Sequence, residues 1–265
     1  MKEALMDLSV QSLALAYLFT IALLVLFKWF GIKREKQIVV ATLRMTIQLT
    51  LMGYVLMYVF DHPSWWMSLL IVLFMLSVAT WNAIKRVKIA MSRKLKEVLC
   101  VSLATGYIIS AAFFLLAVLC VRPWFDPQYF IPISSMILGG SMTGLALGAN
   151  SLTKSFRDQR VQIENSLMLG ATPWQASHDA VHDAFDSAVL PTMNNMMTMG
   201  LVTIPGMMTG QLLSGTFPLT AIKYQMGIML AILGGIALGV AFFVIFGYRT
   251  FFTKADALVP LEHQK

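Results

Sequence analysis

Seven stretches of this chain are apolar over about the 20 residues that a helix needs to cross a bilayer. They run near 8–30, 38–60, 64–84, 97–121, 129–150, 189–213 and 221–248. A bilayer core holds no water to satisfy backbone N–H and C=O groups, so stretches of this length must be helical. Composition agrees: 58% of residues are hydrophobic and 12% charged, against about 25% charged in soluble domains. The expected fold is therefore all-α, a polytopic bundle of seven membrane helices forming one domain over 1–265. The first stretch is too long for a signal h-region and lacks an Ala-x-Ala site, so it reads as a span. Cys100 and Cys120 lie on one apolar run, separated by about 30 Å of helix, and read as small apolar residues outside disulfide reach.

The placement of Lys and Arg predicts orientation. Lys28, Lys33, Arg34 and Lys36 follow the first span, and Lys85, Arg86, Lys88, Arg93, Lys94 and Lys96 follow the third. Lys154, Arg157 and Arg160 follow the fifth, and Arg249, Lys254 and Lys265 the last. Only Lys2, Arg122 and Lys223 fall on the other side, with Arg44 inside span two. The expected topology is N-out and C-in, in a cell inner (plasma) membrane. Trp65, Trp66, Trp124, Phe125 and Tyr129 then mark the outer interface, where amphipathic rings prefer to sit. Membrane lipid is the implied surrounding, and no nucleic acid is implied.

One segment on the basic side is long and polar. Residues 151–188 far exceed what a bundle connection needs, and they read as two short helices broken at Gly170. Thr172 suits an N-cap, Pro173 the first helical position, and Gln175 completes a capping box. Beyond the cap, Trp174, Val181, Phe185 and Ala188 form an apolar stripe. Gln175, His178, Asp179, His182, Asp183 and Asp186 form a polar face. That face carries no Lys or Arg, which suits an anionic lipid surface poorly. A protein partner is the expectation, with a helix lying on the membrane surface as the alternative. His178 and His182 share a face at i, i+4, a spacing able to hold a metal, and are expected to be a solvated polar surface.

Polar residues inside spans mark pathways by default. Arg44 and Gln48 share one face of span two. Arg44 either snorkels to the interface or faces the bundle. Asn82 and Asn150, near the basic ends of spans three and five, either cap helices or line a vestibule; Asn194 and Asn195 open span six. In that span Pro205 and Gly206 predict a break, and broken helices recur at transport sites. Met207, Met208 and Gln211 follow the break. Its many methionines, Met193, Met196, Met197 and Met199 included, are expected to pack rather than bind metal, because thioethers are soft ligands. Gly140, Gly144 and Gly148 in span five, with Gly235 and Gly239 in span seven, form small-residue ladders for close helix contact within the bundle or across a dimer.

Glu164 and Gly170 keep the spacing of the Glu-Ala-Ala-x-x-x-Gly loop that permease subunits of ABC importers dock into their ATPase. Asn165 and Ser166 replace the alanines, and Leu190-Pro191 comes later than the Leu-Pro that closes that motif. Taken with RMTIQL at 44–49, LGATPWQA at 169–176, IPGMMTG at 204–210 and AIKYQ at 221–225, the whole chain resembles the FetB-type iron export ABC permeases. That family also includes plant permeases linked to aluminium tolerance.

The resemblance implies a permease subunit, paired as a homodimer with a separate ABC ATPase, that exports iron or another metal ion by alternating access. It implies an ATPase contact through Glu164, Leu169, Gly170, Ala171, Thr172, Pro173 and Gln175. The chain carries no Gly-x-x-x-x-Gly-Lys-Ser/Thr, and GANSLTKS at 148–155 has the wrong spacing and setting. ATP and Mg are thus expected on the partner, with no cofactor bound here and no enzymatic activity of its own. The metal-binding residues are left unassigned. The competing reading is an ATP-independent secondary transporter or channel, although no inverted repeat is visible in the sequence.

Overall fold

A computed structural model of the chain describes residues 9–89, 91–253 and 255–259. Among them every regular element is helical. The first are α1 (Val10–Ala16), α2 (Leu18–Trp29), α3 (Glu35–Asp61), α4 (Trp65–Arg86) and α5 (Arg93–Ala112), the last ending in a π-turn, Phe113–Val118. They are followed by α6 (Pro127–Asp158), α7 (Arg160–Met168), α8 (Pro173–Ala176), α9 (His178–Thr198), α10 (Gly206–Leu213) and α11 (Pro218–Gly247), closed by a 3-10 turn, Tyr248–Phe251. Among the described residues six helices are long and apolar enough to cross a membrane: Gln11–Trp29, Glu35–Asp61, Trp65–Arg86, Arg93–Val118, Pro127–Asp158 and Pro218–Phe251. The described residues divide into two compact units, one reaching Pro63 and taking in Leu213–Gly215, the other formed by the rest.

The N-terminal unit is a helical hairpin. Gly31 takes φ +67° in the turn between α2 and α3, a conformation that costs glycine little. Tyr17 and Thr46 share a hydrogen bond across the pair, Oη to Oγ1, of 2.7 Å. Most of its apolar side chains are exposed, as expected of helices whose solvent is lipid.

In the larger unit, close contacts set helix direction. A Cβ on Gly140, Gly144 or Gly148 would meet Ile232, Ile236 or Val240 respectively. The constant register makes α6 and α11 parallel. Gly106 of α5 approaches so near that a Cβ would stand 2.7 Å from Gly235 O and from Gly239 Cα. Four residues on, Ser110 Oγ donates to Ala231 O, so α5 is antiparallel to α11. Ser68 Oγ donates to Phe125 O just before α6, and Asn150 of α6 meets the far end of α4, so those two are parallel. Close backbone approach is the main attraction left to helices immersed in lipid. The glycine ladders are thus spent inside one chain. As signs of a dimer interface they carry no weight, because α9 and α11 already occupy the ladder of α6, and α5 and α6 that of α11.

Parallel α6 and α11 oblige the chain to travel back between them, and α9 makes most of that return. Gly148 faces Ala184 O, Gly144 faces Ala188 O, and Ser151 Oγ donates to Asp183 O at 3.1 Å. Continued at the helical rise, this antiparallel register carries Thr198 to about the level of Ser134.

The expected single span over 189–213 is corrected here. Its helix begins earlier, at His178, and ends at Thr198; residues 199–205 are non-helical before α10. Asp179, Asp183 and Asp186 dilute the first half of α9, which is why its apolar stretch looked shorter than the helix. Pro205 does not kink a helix from within. Its carbonyl accepts from Thr209 N at 2.9 Å, so it stands at the start of α10.

The core lies along α5, α6, α9 and α11, with Leu99, Leu103, Leu145, Ala149, Leu152, Val240 and Phe243 fully buried. The register groups Lys85, Arg86, Arg93, Lys94, Lys96, Lys154 and Arg157 at one end of this unit. Trp65, Trp66 and Trp124 stand at the other.

Candidate docking site at the basic end of the bundle

Beyond α6 the chain leaves the helical axis for residues 159–177, and local rules account for each step. Gly170 takes φ +93°, the left-handed position that favours glycine. Gly170 N donates to Leu167 O and Ala171 N to Ser166 O, both at 3.0 Å, the two bonds that close a Schellman helix end. The next helix starts two residues later. Thr172 Oγ1 accepts from Gln175 N at 3.4 Å, and Gln175 Oε1 accepts from Thr172 N at 3.0 Å. The reciprocal cap expected from Thr172, Pro173 and Gln175 is present. The segment is therefore a stop and a start in immediate succession, both self-satisfied, with the turn between them free of other structure.

Three contacts fix that turn to the bundle. Ile163 of α7 is buried in the core, and Leu167 packs against it. Arg160 Nε pairs with Glu164 Oε1 at 2.8 Å, and Arg160 Nη1 donates to Val259 O at 3.2 Å. Trp174 sets its ring edge against Tyr248, centroids 5.1 Å apart. The C-terminal stretch supplies the far wall. Val259 N donates to Phe251 O at 2.9 Å and Thr253 N to Ala257 O at 2.7 Å, forming a tight hairpin. A groove of about 630 Å³ lies between the two, lined on one side by Glu164, Met168, Gly170 and Thr172 and on the other by Asp256 and Leu258.

The tip of the turn is apolar. Met168 is 84% and Leu169 90% exposed, at the tip of a segment whose polar backbone groups are engaged. Two large aliphatic side chains presented on a fixed turn beside a groove are suited to insertion into a partner surface. Glu164, Leu169, Gly170, Ala171, Thr172, Pro173 and Gln175 are thus all brought to one place. The segment outside the long helices is narrower than the expected 151–188, since Ser151–Asp158 continue α6 and His178 onward belongs to α9. Trp174, Val181, Phe185 and Ala188 do turn toward protein, although Trp174 remains partly exposed. The C-terminal wall escaped the sequence reading, which took that stretch only for its charges. Phe251 and Phe252 directly after a span were the available signal.

Within the larger unit the expected pathway residues are scattered. Asn150 caps α4: its Oδ1 accepts from Lys88 N at 2.8 Å and its Nδ2 donates to Arg86 O at 3.2 Å. Of the two roles open to it, capping is the one the geometry shows. Asn194 lies about 18 Å along α9 from the level of Asn150, because α9 starts so early. Asn194 does not open its helix but lies near its end. Met207, Met208 and Gln211 are half-buried on α10, Met207 against the cluster of Phe114, Phe130 and Ile228. Pro205 and Gly206 begin that helix. Arg44 and Gln48 sit exposed on α3 in the N-terminal unit. Among the described residues no three His, Cys, Asp or Glu side chains converge to hold a metal.

Comparisons with known proteins place these features in a family. The profile of the uncharacterised protein family UPF0014 matches residues 10–252. The chain is 32% identical over 255 residues to the probable iron export permease protein FetB of Escherichia coli, covering 96% of each. It is 35% identical to the UPF0014 membrane protein YjkA of Bacillus subtilis over 95% of this chain and 98% of that one. It is 33% identical to the protein ALUMINUM SENSITIVE 3 of Arabidopsis thaliana over 84% and 80% respectively. No solved structure matches. With six helices suited to crossing a bilayer and relatives named as membrane proteins and a permease, the chain is a multi-pass membrane protein.

Proposed function

Because the chain belongs to the UPF0014 family of membrane proteins, we propose that it is the permease subunit of an ATP-driven transporter that exports iron or another metal ion. Metal and outward direction are carried over from the Escherichia coli relative's name. The observation that carries the ATP-driven part is the 159–177 turn. It is capped at both ends, tied to the core through Ile163 and to the C-terminal hairpin through Arg160, and it presents Met168 and Leu169 to a partner. The partner is a separate ABC ATPase, which supplies ATP and Mg.

Alternating access follows from the same parts. Closure of two ATPase subunits pushes the turn, and the push enters the bundle through Phe156 and Phe251, whose rings are stacked. The irregular stretch 199–205 lets α10 move separately from α9. In a membrane such backbone is tolerated only where protein or a water-filled cavity covers it, which supports a pathway there. The return of α9 and α10 between parallel α6 and α11 adds a broken crossing to the six apolar ones. Seven crossings with the basic ends on the cytoplasmic side give N-out and C-in. Two copies form the permease pair, since two ATPases must be engaged. The test is a pull-down from native membranes. An ATPase that co-purifies, and is lost when 164–176 is scrambled, supports the reading; a chain that brings down no ATPase contradicts it.

A further inference from the structure

The polar face of α9 has no part in the docking turn, and its residue types are those that bind metals. His178 and His182 stand one turn apart with ring centroids 4.2 Å from each other, tilted by 32°. Both are exposed. His178 Nδ1 lies 3.6 Å from Asp179 Oδ1, and Asp186 follows one further turn along, about 6 Å on. Among the described residues no Lys or Arg is paired with Asp179, Asp183 or Asp186. That leaves an uncompensated acidic patch on the otherwise basic end of the bundle. Two exposed imidazoles in contact inside such a patch differ from a merely solvated surface, where each ring would point to water separately.

We propose that His178 and His182 chelate one divalent transition-metal ion at the basic end of α9. Two histidines at i, i+4 on one helix face have the spacing at which the His-Glu-x-x-His motif places its two metal ligands. A metal–imidazole bond is about 2.0–2.1 Å long, so one nitrogen from each of two rings this close can reach a shared ion by side-chain rotation. Imidazole is a borderline donor suited to iron, cobalt, nickel, copper and zinc, whereas magnesium and calcium prefer oxygen. Among the described residues no third protein donor converges on the pair, so water completes the coordination. Such a site binds reversibly, as a loading station must, and the surrounding carboxylates raise the local cation concentration. The loading role rests on the metal-export reading above; the binding itself does not.

Co²⁺ is the probe. Titrated by calorimetry into the detergent-purified chain, it binds once per chain, and His178→Ala or His182→Ala each weakens it at least about tenfold, as loss of a ligand should. The double variant abolishes binding, while His62→Ala leaves it unchanged. A second readout needs no variant: Cu²⁺ bound to the native chain shows nitrogen coupling in its electron paramagnetic resonance spectrum. Absence of Co²⁺ binding, binding unaltered in the double variant, or a Cu²⁺ spectrum without nitrogen overturns the site. A chain that brings down its ATPase yet binds no Co²⁺ defeats the site alone. One that binds Co²⁺ through His178 and His182 but brings down no ATPase defeats the transporter reading and leaves the site standing.

Discussion

Phe156 near the end of α6 lies face to face with Phe251 just past α11, ring centroids 4.1 Å apart and planes within 7°. Phe252 meets the same Phe156 ring edge-on at 5.8 Å. This small aromatic stack joins the ends of the two parallel helices where the 159–177 turn departs.

Removing that stack is expected to be costly. Phe156 and Phe251 are both about 5% exposed, and Phe156→Ala should destabilise the chain by about 3–5 kcal/mol. Thermal unfolding in detergent checks this. Phe156→Leu, which keeps most of the volume, should lose much less, and equal losses for both would show that the ring contact is not what matters.

Among the described glycines, Gly106 makes the tightest helix contact with backbone atoms. A Cβ there would meet backbone atoms of Gly235 and Gly239 at 2.7 Å, and backbone cannot rotate away. Gly106→Ala should cost about 1–3 kcal/mol through forced separation of α5 and α11. Gly139→Ala is the matched control, since nothing lies within 4 Å of its Cβ. Comparing yields of folded protein by size-exclusion chromatography decides it.

Asn150→Ala should weaken the end of α4. The change frees Lys88 N and Arg86 O together, a loss of about 1 kcal/mol or somewhat more. If transport then falls in proportion to folded protein, Asn150 is a cap alone; a transport defect at full folding would restore it to the pathway.

Gly170→Val tests the turn itself. Space is open around Gly170, so any cost comes from φ +93°, about 1–2 kcal/mol for a residue with a Cβ. The variant should insert and fold, but hydrolyse ATP without moving metal in proteoliposomes. Unchanged metal transported per ATP would remove the coupling role from the turn.

How far the sequence was legible depended on the range of the interactions involved. The box of Thr172 and Gln175 and the left-handed Gly170 were readable because each depends on a few neighbouring residues. Gly140, Gly144 and Gly148 were readable as places of close approach, but not what approaches, since Ile232 and Ala188 are far away in sequence. The true start of α9 was hidden because Asp179, Asp183 and Asp186 resemble a loop to any hydropathy reading, while Gly144 and Gly148 hold that polar helix against α6. The wall made by 251–253 and 255–259 was hidden for the same reason: its partner, Arg160, lies on another element.

The most direct test of the docking claim places a photocrosslinking amino acid at Leu169, the most exposed side chain of the turn, in native membranes. The account predicts an adduct with the ATPase subunit from position 169, and none from Trp124 at the opposite end of the bundle. Adducts with lipid alone at 169, or an equal ATPase adduct from 124, would contradict it.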